Sequence, residues 1–359
     1  MKDVCSFPLK EFHRFMLPPE ERGLYDLLLG LLRSGGGECT YHGRVDSDVL
    51  GRVYQAIYDD APETYRLDRT QLFSCVSSPL GGWKFSPKYE LNATMDTILN
   101  NHASRIIQAA KDNCRTDLEK ELYVHDWFAD NVEYTFEGYA SEESEYGVYG
   151  AIVEHKAVCM GISKAVSMIL NRLGVDCGTY SDHDDKHMWN IVRLDGECYH
   201  LDVTWDMRDS HGHTVYDFFN LNDMEMSRYH HVFKGAPASG SRYNWYRMNG
   251  LEAREFSDMV RILGEAVQRK DKTAVFRNLA VPADKTLETV SSILKDSRRV
   301  RSYSCSNNPE TGRVEVTIGY RSDGIREIPH DQPHIQVAQP PVDVHSLPNH
   351  IIECLGKFP

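Results

Sequence analysis

The sequence predicts an α+β protein whose chemistry lies in the middle of the chain. Three observations point there. The first hundred residues read as amphipathic helices. A helix opening on Cys159 is then followed by strands joined through a tight turn, and beyond Gly250 helices and strands return in a smaller group. The expected division is a helical region over 1–115, a core over 116–249, a small α+β domain over 250–320 and an extended tail over 321–359.

"EERGLYDLLLGLLRSGGG" is apolar at Leu24, Leu27, Leu28 and Leu31 and stops at glycines, which fits a helix ending in a turn. "DSDVLGRVYQAIYDDAP" offers Asp48 as a cap, a stripe through Leu50, Val53 and Ile57, and a proline stop. "SSPLGGWKFSP" reads as a loop with short strands nearby. Residues 91–110 and 117–132 are amphipathic helices, the second with Leu118, Leu122, Val124 and Trp127 as its apolar residues. Ile162, Val166, Ile169 and Leu173 recur at helical spacing after Cys159, and Gly174 ends that helix. "CGTYSD", "HMWNIVRL" and "ECYHLDVTW" are strands. After Gly250, two helices alternate with "TAVFRNLAV", "VRSYSCS" and "RVEVTIGY" as strands, and the proline- and histidine-rich end lacks periodicity.

Composition bounds the function. The chain has 359 residues, 41% hydrophobic and 26% charged, enough for sizeable cores. A net charge of −13 argues against nucleic-acid and anionic-membrane partners, which select basic surfaces. No segment approaches eighteen consecutive apolar residues, and the first residues lack an apolar signal region. Nine cysteines without a CxxC pair suggest reduced thiols. The expectation is a cytoplasmic protein.

Cys159 sits in the first turn of its helix, where free N–H groups favour a thiolate. Alone, it reads as a buried thiol. The hairpin changes that weighing. Asp195-Gly196 is a two-residue turn signal that pairs Leu194 with Glu197. Continued outward, this register sets Trp189 against Asp202 and makes His187 and Asp202 diagonal neighbours, about 7–8 Å apart at Cα. It also predicts a polar face through His187, Trp189, Ile191, Arg193, Cys198, His200, Asp202 and Thr204, with Met188, Asn190, Val192, Leu194, Tyr199, Leu201, Val203 and Trp205 as core on the other. A thiol at a helix N-terminus, an imidazole and a carboxylate are the parts of a nucleophilic relay.

"YGVYGAIVEHKAVCMGIS", "DKHMWNIVRLDG" and "CYHLDVTWD" together resemble the three motifs of the transglutaminase-like superfamily, relatives of papain-fold thiol enzymes. The likeness is specific over about 145–206, and the N-terminal third resembles that of bacterial members. It implies a papain-like core, a Cys-bearing helix packed on an antiparallel sheet. It implies Cys159 as nucleophile, His187 as base and Asp202 as its orienting acid. Amide acyl transfer on a protein or peptide substrate follows, with water or an amine as acceptor; a non-catalytic binding module is the other class. No metal or organic cofactor is implied, and the calcium requirement of mammalian relatives is not carried over. Residues 145–158 hold no glutamine to complete a papain-type oxyanion hole, which leaves Tyr149 or Trp189 for that role. Trp189, Tyr149 and Trp205 are the candidate substrate contacts.

Other features take plainer readings. His183, Asp184, Asp185 and His187, with His211 and His213, resemble metal ligands, but loop acids need no metal. The glycines at 35–37 lack a phosphate-loop Lys-Ser/Thr. "RYHH" at 228–231 reads as a surface or core-edge feature, and Cys198, in mid-strand, as an inert thiol.

Overall fold

The computed structural model describes residues 7–68, 71–79, 81–89, 93–135, 143–182, 186–207, 214–232 and 238–321. The expected tail beyond Arg321, the group His183, Asp184 and Asp185, and His211 and His213 lie outside these residues. The chain divides into two compact units between Ser241 and Arg242.

The first unit begins with α1 (Phe12–Met16) and α2 (Arg22–Ser34). Then come β1 (Cys39–Tyr41), α3 (Ser47–Asp60), β2 (Phe73–Ser77) and β3 (Trp83–Pro87). Asp46, and not the expected Asp48, caps α3, accepting from Val49 N at 3.0 Å. Asp46 has the extended backbone that a cap requires, whereas Asp48 is already in the first turn. The three strands form a sheet in the order β1-β3-β2, and Leu24, Leu28, Val53, Ile57 and Phe85 fill the core around it.

Next are α4 (Ala93–Asn113) and α5 (Asp117–Asn131), the latter opened by a Thr116–Glu119 capping box. Its buried face is partly polar: Glu121 and His125 lie with Val124 and Phe128, while Leu118, Leu122 and Trp127 are only half-buried. The strands β4 (Glu133–Tyr134) and β5 (Lys156–Ala157) pair in parallel and deliver the chain to α6 (Cys159–Arg172).

A four-stranded antiparallel sheet follows, β6 (Cys177–Asp182), β7 (His187–Leu194), β8 (Glu197–Leu201) and β9 (Phe219–Leu221), in that order. Leu194 pairs with Glu197 as expected. The turn between them holds Asp195 at φ 49° and Gly196 at φ 84°, both positive as a type I′ turn demands. The expected strand through Trp205 stops at Leu201. Asp202 instead opens a turn: its Oδ1 accepts from Trp205 N and its carbonyl from Asp206 N. The pairing of Trp189 with Asp202 therefore does not form.

Both sheet faces are buried, so the expected polar face is also core. α6 covers one of them: Ser163 Oγ donates to Met188 O, and Asn190 Nδ2 donates to Ser163 O. On the other, Phe12, Phe218, Leu221 and Met226 pack on Trp189, and Leu9 and Ala238 on Ile191 and Cys198. The N-terminal segment makes the difference. Leu9 N donates to Asp176 Oδ1, and Arg193 Nη2 to Phe7 O. Within β9 a bulge holds Asn220 at φ 58°, and α7 (Asp223–Met226) follows the strand.

The second unit holds α8 (Trp245–Met248), β10 (Glu252–Ala253), α9 (Phe256–Arg269), β11 (Thr273–Asn278), α10 (Thr286–Leu294), β12 (Val300–Asn307) and β13 (Arg313–Tyr320). Its sheet runs β10-β11-β13-β12, and Met259, Leu263, Phe276, Val290 and Val316 form its core.

Candidate active site

Cys159 is the first residue of α6, and Val158 before it is an extended N-cap without a capping side chain. The first-turn N–H groups thus keep their partial positive charge beside the sulfur. Gly161 lets backbone approach closely there: a Cβ would lie 2.5 Å from Glu145 O. Val158 N also donates to Glu145 O, so the 3-10 turn Glu143–Tyr146 braces the helix start. Cys159 keeps 7% of its surface exposed.

His187 opens β7 opposite Asp182 of β6. Its Nε2 lies 2.6 Å from Asp202 Oδ2, and Cys159 is close enough to raise the pKa of the same ring. With Nε2–H engaged by the carboxylate, Nδ1 is left to exchange a proton with the thiol. Burial by itself would lower the His187 pKa; the charge and hydrogen bond of Asp202, then Cys159, raise it above 6.5 instead. Burial would likewise raise Asp202, but His187 and then His230 hold its carboxyl well below the usual range.

His187 is ringed by aromatic groups. Ring centroids lie 5.8 Å away for Trp189, 5.6 Å for Trp205 and 4.9 Å for His230. Trp189 is fully buried, stacked on Tyr180, and its Nε1 donates to His200 Nδ1 at 3.0 Å. Its N–H is therefore committed, which removes Trp189 from the oxyanion hole. Trp205 is partly exposed beside His187. Tyr149 is buried just before the π turn Gly150–Glu154, and among the described residues no hydrogen bond or ring contact joins it to the other three groups.

His230 is the site residue that sequence reasoning missed. It is buried, and its Nε2 lies 3.7 Å from Asp202 Oδ2. Nothing local in "RYHH" signals this. Below the site, His125 of α5 meets Asp206, at the end of the Asp202 turn, with Nε2 3.3 Å from Oδ2, and its Nδ1 meets Asp126 Oδ1 at 2.9 Å. Burial alone would lower His125, but the hydrogen bonds and charges of Asp126 and Asp206 push it up to about 9. Asp206 Oδ1 also accepts from Phe218 N, tying the turn to the approach of β9.

Ligand atoms of His187, Asp202 and His230 lie within 4.8 Å of one another, a spacing compatible with a metal ion. An ion held by two imidazoles lies in the plane of both rings. Here the His187 and His230 rings stack at 19°, and 2.6 Å between Nε2 and Oδ2 is a hydrogen bond with no room for an ion. The group fits a proton relay.

The arrangement is a thiol at a helix N-terminus near a His–Asp pair, the histidine at the start of a sheet strand and the aspartate in the turn after β8. Residues 104–203 match the sequence profile of the transglutaminase-like superfamily. No curated protein matches the chain. Similar solved structures include a TGase, at 13% identity over 46% of this chain with a TM-score of 0.29. A "putative protease" of Parabacteroides distasonis and a "putative cysteine protease" of Cytophaga hutchinsonii each match at 14% identity over 37% of this chain, with TM-scores of 0.24. The chain spans 50%, 30% and 61% of those three chains' lengths.

Proposed function

We propose that the protein is a cysteine peptidase or amidase acting on a protein or peptide substrate through a thioester on Cys159. The observation that carries this reading is the 2.6 Å contact of His187 Nε2 with Asp202 Oδ2, on a ring whose pKa Cys159 at the start of α6 also raises. His187 Nδ1 takes the thiol proton, and the thiolate adds to the amide carbon. The C–N bond breaks as His187 returns that proton to the leaving amine. Water then gives a proton to His187 as its oxygen attacks the thioester, and the thiol leaves, recovering the proton. The Cys159 N–H is placed to receive the developing oxyanion. Water is preferred as acceptor because excluding it takes a dedicated enclosure. Among the described residues no helix is long and apolar enough to cross a membrane. A cytoplasmic location remains part of this proposal.

The test is the alkylation rate of Cys159 against pH, read by mass spectrometry, in wild type and His187→Ala. A wild-type midpoint well below the free-thiol value of about 8.5, rising in the variant, is expected. Equal reactivity of Cys159 and the other eight thiols, indifferent to His187, would sink the reading. Glutamine peptides with a fluorescent amine then separate the acceptors: cleavage or ammonia release means water, and label incorporation means cross-linking.

A further inference from the structure

We propose that His230 is a positioning residue that restrains the basicity of His187. This rests on the thiol-enzyme reading. Asp202 Oδ2 faces two imidazoles, His187 Nε2 at 2.6 Å and His230 Nε2 at 3.7 Å. The His230 ring also stacks on His187, with centroids 4.9 Å apart, and packs against Trp189 at 4.8 Å and Trp205 at 4.2 Å. A carboxylate that faces two imidazoles divides its field between them, and within a buried site such competition is poorly screened. That competition eases the return of the His187 proton to the leaving amine.

The neighbouring charges are accounted for on each packed element. Asp182 of β6 accepts the His231 N–H at 2.8 Å, which anchors the His230 segment beside His187. His200 of β8 is engaged by Asp223 of α7 at 2.9 Å and by Trp189. Lys186 precedes His187, and Cys159 of α6 raises the pKa of the His187 ring.

His230→Phe keeps the stacked ring and removes both nitrogens. The Asp202 field then acts on His187 alone, the imidazolium is favoured, and the Cys159 thiolate with it. The alkylation midpoint should move down by about half to one pH unit, the size of a partly buried charge contact at this separation. His230→Gln, which returns an N–H toward Asp202, should restore the wild-type midpoint. Mere loosening of the site would do the opposite, lifting the midpoint toward that of a free thiol. An unchanged or raised midpoint in a folded His230→Phe protein, with a depressed wild-type midpoint, overturns the role of His230 alone. A wild-type midpoint near the free-thiol value overturns the thiol-enzyme reading itself. Should His230→Phe not fold, His230→Met is read by the same criteria.

Discussion

Glu121 offers the most quantitative check on how the site's foundation is built. It is fully buried on α5, one turn before His125, and its Oε2 accepts from Asn220 Nδ2 at 2.9 Å. Burial pushes its carboxyl up to about 8, against which the Asn220 hydrogen bond and His125 act weakly. Folded Glu121 therefore holds its proton at neutral pH, while the unfolded chain releases it near 4.5. The folded pKa is raised, so the contribution to stability is fully present below about 4.5 and is lost as pH rises toward 8. At 1.36 kcal/mol per unit, that loss amounts to about 3 kcal/mol between pH 5 and 7.5.

Glu121→Gln keeps the acceptor for Asn220 and cannot ionise. The comparison is the urea midpoint of the first unit's unfolding, wild type against variant, at pH 5 and 7.5. The variant should gain about 3 kcal/mol on wild type between the two values. A difference that does not change with pH would mean that Glu121 is ionised in the fold. The account of α5 and β9 as joined through a neutral acid would then be wrong.

Three further outcomes follow from the same geometry. Asp202→Asn keeps the shape but not the charge that orients His187; acyl transfer should fall by about a thousandfold or more, as in other relays of this type, with the alkylation midpoint raised. A variant with wild-type turnover would exclude Asp202 from the chemistry. His125→Leu leaves Asp206 buried without its partner and should cost about 3–5 kcal/mol in thermal or urea unfolding, much of it recovered in the His125→Leu/Asp206→Asn double variant. Because His125 is raised to about 9, its contribution is fully present below about 6.5 and fades as pH rises through 9; the variant should lack that dependence. Gly161→Ala drives a methyl against Glu145 O and should cost about 1–3 kcal/mol while slowing Cys159 alkylation; an undisturbed rate would show that the helix start is not braced there.

Local patterns carried much of this fold. The bounds of β6 and β7 coincide with the stretches read from alternation and β-branching, and the Asp195-Gly196 turn fixes their partner's register. Cys159 at the start of α6 was legible because a helical stripe begins there. What escaped was long-range. Alternation after Leu201 still reads as strand, but Asp202 can satisfy the Trp205 N–H with its own carboxylate, and that local hydrogen bond turns the chain. The same turn leaves Asp202 beside His187 by a route that the extended register did not contain. Capping was misread by two residues, since Asp46 and Asp48 both suit the position and only backbone geometry separates them.

The buried polar groups explain why the pattern misled on α5 and on the sheet. A period of 3.6 counts apolar residues and so passes over Glu121 and His125, although both are inside. They are inside because they have partners from distant parts of the chain: Asn220 for one, Asp206 for the other. Those partners flank the turn and the strand that hold Asp202 and its Phe218 contact. An apolar α5 would pack as well but would remove the His125–Asp206 and Glu121–Asn220 ties to the Asp202 turn and β9. The cost of burying Glu121 and His125 thus falls where the orientation of one carboxylate, and through it His187, has to be fixed.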